Sequence, residues 1–169
     1  MLSPGSPGKP GTGPRPNPGA SCKVVESGHI PPHSEHSMSS SIHVGKLEAI
    51  YTKRMRGGQM DPRSSVALKA GSGIVGSPDQ GGKRQVTLID KAVWEQLMAE
   101  VGADLPPSAR RANLLVSGID LKETRERVLR VAGCRLKVWG ETRPCEQMDA
   151  AVPGLTAAMR RDWGGGVFD

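Results

Sequence analysis

The spacing of apolar residues divides the chain into stretches of different character. Residues 1–41 are dominated by Pro, Gly and Ser and hold almost no side chain able to fill a core. Such a segment cannot offset its own ordering entropy and is expected to be a disordered tail. From Ile42 the pattern changes: Val44, Leu47 and Ile50 alternate imperfectly, yet β-branched residues dominate and the run reads as a first strand. A polar loop with Gly57 and Gly58 follows, then strands over 66–70 and 86–89. Asp90 stands at an N-cap position, and Val93, Trp94, Leu97, Met98 and Val101 recur at helical spacing until Gly102, which makes this the clearest helix of the chain. Past Pro106-Pro107, residues 108–116 read as a strand with two arginines near its start. Residues 121–127 fit either a loop or a short helix. Residues 128–131 and 134–139 are the arms of a hairpin turning at Gly133. A short helix to about residue 150 comes next, and Pro153 opens another with the stripe Leu155, Ala158, Met159 and Trp163, stopped by Gly164-Gly165-Gly166. Val167-Phe168-Asp169 begins one more strand. The pattern alone gives a mixture of α and β.

Length and charge narrow the function. At 169 residues one domain with a hydrophobic core is expected. The 23 Lys and Arg against 17 Asp and Glu give a net charge of +6, which points to an anionic ligand or partner. Nucleic acid does not fit: the basic residues are scattered and aromatic residues, at 3%, are too few for stacking platforms. The cysteines at 22, 134 and 145 follow neither a metal-ligand spacing nor an even-numbered disulfide framework, so a cytoplasmic location is expected, with Cys134 a packed structural thiol. No stretch approaches the roughly 18 apolar residues of a membrane span, and the N-terminus lacks the apolar run of a signal peptide. His29, His33, His36 and His43 all lie in or beside the tail, so the folded part has no histidine for a Cys-His or Ser-His pair. Met38 lies just before the folded sequence; translation starting there would make the preceding tail a gene-calling artefact, and the intact mass of the native product tests this.

Three places carry candidate chemistry. In Glu141-Thr142-Arg143-Pro144-Cys145-Glu146-Gln147-Met148, Pro144 fits a first helical position. Cys145 would then lie in the first turn, where the helix dipole and Arg143 favour a thiolate and Glu146 opposes it. An inert buried cysteine near a helix start fits these residues equally well. Gly71-Ser72-Gly73-Ile74-Val75-Gly76 has the spacing of a dinucleotide-binding loop, but Pro78, Gly81 and Gly82 deny it the helix that such a site requires. Gly81-Gly82-Lys83-Arg84-Gln85 allows close backbone approach and adds two cations, one of them able to grip phosphate in bidentate fashion. Without further context it is an ordinary basic turn.

Four stretches in order resemble the MOSC domain, named after the C-terminal part of molybdenum cofactor sulfurase. They are Gly81-Gly82-Lys83-Arg84-Gln85-Val86-Thr87-Leu88-Ile89, Arg110-Arg111-Ala112-Asn113-Leu114, Val116-Ser117-Gly118-Ile119-Asp120-Leu121, and Arg143-Pro144-Cys145 followed by Gly165-Gly166-Val167-Phe168. The resemblance implies a β-rich α+β fold, a barrel of mostly antiparallel strands with a few peripheral helices, over residues 42–169. Related domains continue for one or two further strands, and Ser77 replaces a usual aspartate.

The resemblance also implies a function: binding of molybdenum cofactor, with Cys145 either carrying sulfane sulfur as a persulfide or ligating molybdenum. Lys83, Arg84 and Arg111 would cradle the pterin phosphate, with Asn113 and Arg143 beside the pocket. Sulfur transfer or reduction of N-hydroxylated substrates would follow, served by an external sulfur or electron donor protein. No pyridoxal phosphate is expected, because the aminotransferase-like domain that binds it in the long sulfurases is missing here. The alternative is a non-catalytic carrier of the anionic cofactor. A third reading, a poorly folded product lacking its last strands, would be excluded by cooperative unfolding.

Overall fold

The computed structural model describes residues 21–26, 45–160 and 167–168. Strand β1 (Ser21–Val25) precedes the first long strand, β2 (Lys46–Thr52), which is followed by β3 (Asp61–Arg63), β4 (Ser65–Lys69), β5 (Gly73–Ile74) and β6 (Leu88–Asp90). Helix α1 (Lys91–Val101) leads through a 3-10 turn (Pro107–Arg110) to β7 (Leu114–Ser117). The hairpin β8 (Val128–Val131) and β9 (Cys134–Lys137), helices α2 (Gln147–Ala151) and α3 (Leu155–Met159), and β10 (Val167–Phe168) complete the order.

The strands form three sheets: β1-β4-β5, β10-β6-β7-β2-β3, and the β8-β9 hairpin. Every pairing is antiparallel except β6 with β7. The β-rich α+β class expected from the resemblance is observed.

The five-stranded sheet has a core on each face. Leu114 and Val116 of β7 enter one cluster with Leu47, Ile50, Leu68, Ile74 and Val138. Leu115 between them enters the other, with Trp94, Leu97, Met98, Met148, Leu155 and Met159 from the three helices. This is why β7 reads as an unbroken apolar run instead of an alternating one. The imperfect spacing of the first strand has an equally local cause. The β2–β7 register shifts between Leu47 and Ala49, a bulge that returns Ile50 to the same face as Leu47. Glu48, set at the bulge, accepts hydrogen bonds from Lys46 Nζ at 2.8 Å and Ser117 Oγ at 2.7 Å.

Helix α1 has the bounds that its sequence signals give. Asp90 Oδ1 accepts from the Ala92 and Val93 amides at 2.9 and 3.4 Å, and Gly102 closes the helix at φ 65°. The hairpin turns at Ala132 and Gly133, both at positive φ, which matches strand twist.

Other expectations are corrected. Residues 108–116 are not one strand: Pro107 starts a 3-10 turn and the strand begins only at Leu114. β3 has no apolar alternation and was not legible; its Pro62 is tolerated because the strand is a sheet edge. The sequence 71–76 turns from β4 into β5, with no helix after it.

Within the expected tail, Ser21–Val25 is a strand paired residue for residue with β4, from Ser21 opposite Lys69 to Val25 opposite Ser65, and Val24 is fully buried. Cys22 and Cys134 form a disulfide 112 positions apart, so Cys134 is not a free thiol and the argument from cysteine usage to the cytoplasm loses its basis. The remaining tail, its histidines, Met38, Trp163 and the 164–166 glycines lie outside the described residues. No helix among the described residues is long and apolar enough to cross a membrane.

Candidate functional site

A cleft of about 400 Å³ opens between three walls: the chain after β2, the loop that joins β5 to β6, and two segments that approach each other, 110–113 and 142–147. Each wall is fixed by its own contacts. In the β5–β6 loop, Gly81 donates its amide to Ser72 O at 3.0 Å, Gln80 Nε2 reaches Ile74 O at 3.1 Å, and Lys53 pairs with Asp79. Gly73 lies so near this loop that a Cβ there would stand 2.6 Å from Gln85 O, and its φ of +96° also requires glycine.

Arg110 organises the wall that carries the thiol. The 3-10 turn directs its side chain inward, leaving it 6% exposed, and Nη2 donates to Thr142 O at 3.1 Å and Arg143 O at 3.5 Å. Burial pushes this guanidinium below its ordinary pKa; the neighbouring Cys145 acts against that shift, Arg84 adds to it, and Glu141 opposes it. Arg110 Nε and the Thr142 hydroxyl are buried without a hydrogen-bond partner. From the other side, the Cys145 carbonyl accepts from Met148 N at 2.9 Å and Thr156 Oγ1 at 3.4 Å, while Thr156 N donates to Asp149 Oδ1 at 2.9 Å. The 142–145 segment is therefore held at its start by the 3-10 turn and at its end by α3, and the Cys145 thiol is exposed at the cleft.

Helix α2 begins only at Gln147, so Pro144 is not its first residue and Cys145 lies two positions before its first helical residue. The helix is five residues long and Glu146 makes no side-chain cap. Cys145 therefore lies outside the helix, in the stretch of cleft wall whose start Arg110 holds.

The other predicted site residues divide. Arg84, Arg111 and Asn113 line the cleft with Cys145. Arg111 sits at φ 66°, the left-handed region, and Nη1 touches Gly57 O at 3.4 Å. Asn113 faces the cleft but its amide is used by the fold: Oδ1 accepts from Thr87 N and Oγ1 at 3.1 and 3.0 Å, and Nδ2 donates to Tyr51 O at 3.1 Å. It ties three strands of the sheet and positions the wall. Lys83 is not in the lining; its ammonium lies 5.3 Å from the Trp139 ring centroid, over which Lys137 also sits at 4.6 Å. Arg143 exposes its side chain and contributes only its carbonyl, to Arg110.

Sequence reasoning missed Lys53, Arg56 and Arg110, all in the lining. The basic run Lys53-Arg54-Met55-Arg56 was a signal, but it sat in a loop whose direction the sequence did not give. Five cationic side chains, Lys53, Arg56, Arg84, Arg110 and Arg111, thus face one carboxylate, Asp79, which is itself paired. A low-dielectric cleft with this surplus attracts anions. No group of three or more His, Cys, Asp or Glu suited to a metal ion occurs among the described residues.

None of the curated proteins matches this chain. Among solved structures, it is similar to the YuaD protein of Bacillus subtilis, with a TM-score of 0.59 and 22% identity over 73% of this chain and 85% of that one, a likeness of fold. A family model of the MOSC domain matches residues 39–165, and its span takes in every wall of the cleft and the thiol between them: the chain belongs to the MOSC domain family.

Proposed function

We propose that the cleft binds molybdenum cofactor, with Cys145 as the group that carries sulfane sulfur or ligates the metal. The family is in general cofactor-binding, and the observation that carries the reading for this chain is five cations and one exposed thiol facing a single cleft. These residues fit the group. Arg84, Arg111 and Arg56 would hold a phosphate, for which a guanidinium is the bidentate partner, and a thiolate is a soft ligand suited to molybdenum or sulfur. When bound, the cofactor supplies two-electron redox chemistry at its metal. The chain's own part is to bind the anion, to orient it through the pinned β5–β6 loop, and to present the Cys145 sulfur from a backbone held by Arg110 and Thr156. On the same reading the three sheets are walls of a MOSC barrel, and turnover draws on an external sulfur or electron donor.

One observation favours the carrier alternative. The lining holds no histidine, and its one carboxylate is paired with Lys53, so the described cleft offers no evident general base. Metal and pterin content of protein from a molybdenum-replete host decides, measured for wild type beside Cys145→Ser. Loss of molybdenum in the variant supports Cys145 as ligand. Retention in both supports binding through the arginines, leaving Cys145 for sulfur. Absence from both sinks stable cofactor binding.

A further inference from the structure

The disulfide between Cys22 and Cys134 has no part in the site chemistry above. Cys22 belongs to β1, which lies before the span matched by the family, residues 39–165. β1 is an edge strand with a single neighbour, β4. Apart from that ladder, it is held by the burial of Val24 and by the bond to Cys134 at the start of β9. Both strands that β1 grips lead to the cleft. β4 passes through β5 into the loop that carries Gln80, Gly81 and Arg84; β9 continues through Trp139 to Thr142 and Cys145.

We propose that the Cys22–Cys134 disulfide is a thiol-exchange site, a reducible staple that regulates the cleft, and that its substrate is a dithiol reductant. The proposal rests on the cleft being the functional site. The chemistry is asymmetric, since Cys134 is 2% exposed and Cys22 is half-buried. A thiolate of the reductant attacks Cys22 Sγ, forms a mixed disulfide there and breaks the bond to Cys134, which leaves as a thiolate and takes up a proton. The reductant's second thiol then attacks its own sulfur in the mixed disulfide, releasing Cys22, which is protonated in turn. Two electrons pass to the protein and the dithiol leaves as a disulfide. Released from β9, β1 retains a five-residue ladder and one buried valine, too little to hold an edge strand tightly.

The test uses the full chain, isolated without reductant or reduced with dithiothreitol, and makes no use of the cofactor. Iodoacetamide labelling in denaturant should add one group to the oxidised chain and three to the reduced one. Trypsin should cut after Lys23, exposed in β1, at least about tenfold faster in the reduced chain, because closing so long a loop by a disulfide strongly disfavours opening. Pulsed alkylation of Cys145 should change by at least about threefold while thermal unfolding stays cooperative. Cys22→Ser under oxidising conditions should match reduced wild type; if that variant fails to fold, the two redox forms of wild type decide. Three labels on the oxidised chain, equal cleavage after Lys23, or an unchanged Cys145 rate each overturns the proposal. Global unfolding on reduction also overturns it, since the bond would then be structural only. Absence of cofactor in the separate metal and pterin measurement, with none of these outcomes, would fault the functional reading and leave the staple standing.

Discussion

Arg110 shows how much one buried side chain can determine. Its charge is taken out of water at a cost, and the return is two carbonyls of the 142–143 segment held in place. Arg110→Met should therefore lower stability by roughly 1.5–3 kcal/mol, the range for hydrogen bonds to charged donors, measured by urea unfolding. It should also alter the alkylation rate of Cys145, which Arg84→Ala should leave within about a factor of two. Glu48 gives a pH-dependent counterpart. Hydrogen bonds from Lys46 and Ser117 hold its carboxyl below the ordinary value of 4.5. A depressed carboxyl contributes stability that is present above its unfolded pKa and is lost as pH falls through the folded one. Glu48→Gln should then lower stability at neutral pH and flatten the acid limb below about pH 4.5, with the two proteins converging once the wild-type carboxyl is protonated, read by urea unfolding across pH.

Elements were legible where their causes are local. Helix α1 carries its cap, its stripe and its stop within a dozen residues, and the β8–β9 hairpin carries its turn. The first strand was legible too, and even its irregularity was a signal, since the three-residue step from Leu47 to Ile50 is the bulge. What could not be read depends on distant partners. β1 is a strand because β4, some forty positions later, pairs with it and Cys134 bonds to it; the Pro and Gly around it suggest only disorder. The inward turn of Arg110 was hidden because a 3-10 turn and a strand start place the same two arginines differently, and the strand reading put both near the start of a strand. The cleft was half legible: Arg84, Arg111 and Cys145 could be named from the resemblance, whereas Lys53 and Arg56 join them only through the path of the loop after β2. Gly73→Ala offers a check at this scale. A methyl group facing Gln85 O at 2.6 Å, at a φ of +96°, should cost about 1–3 kcal/mol by thermal unfolding and should loosen the β5–β6 loop.

For the molecule as a whole the net charge of +6 is spread thinly, but the cleft gathers part of it in one place. Binding of a phosphate-bearing anion should weaken steeply with ionic strength, about tenfold or more between 0.05 and 0.5 M salt by titration calorimetry with pyrophosphate as probe. Arg84→Ala with Arg111→Ala should shrink both the affinity and its salt dependence. A slope unaffected by the pair would place the anion elsewhere on the surface.

The one parallel pairing among the described strands, β6 with β7, fixes more than topology. Those two strands and α1 between them occupy one continuous stretch, residues 88–117, whereas β2 must come from far upstream and β10 from far downstream to complete the same sheet. Loop-closure entropy favours the short stretch as the folding nucleus, onto which the distant strands condense later. Shortening Leu97 should then mainly slow the folding arm of a chevron plot, and shortening Val24 should mainly steepen loss through the unfolding arm. A chain built in this order acquires α1 and one segment of the cleft, 110–113, before the other walls arrive.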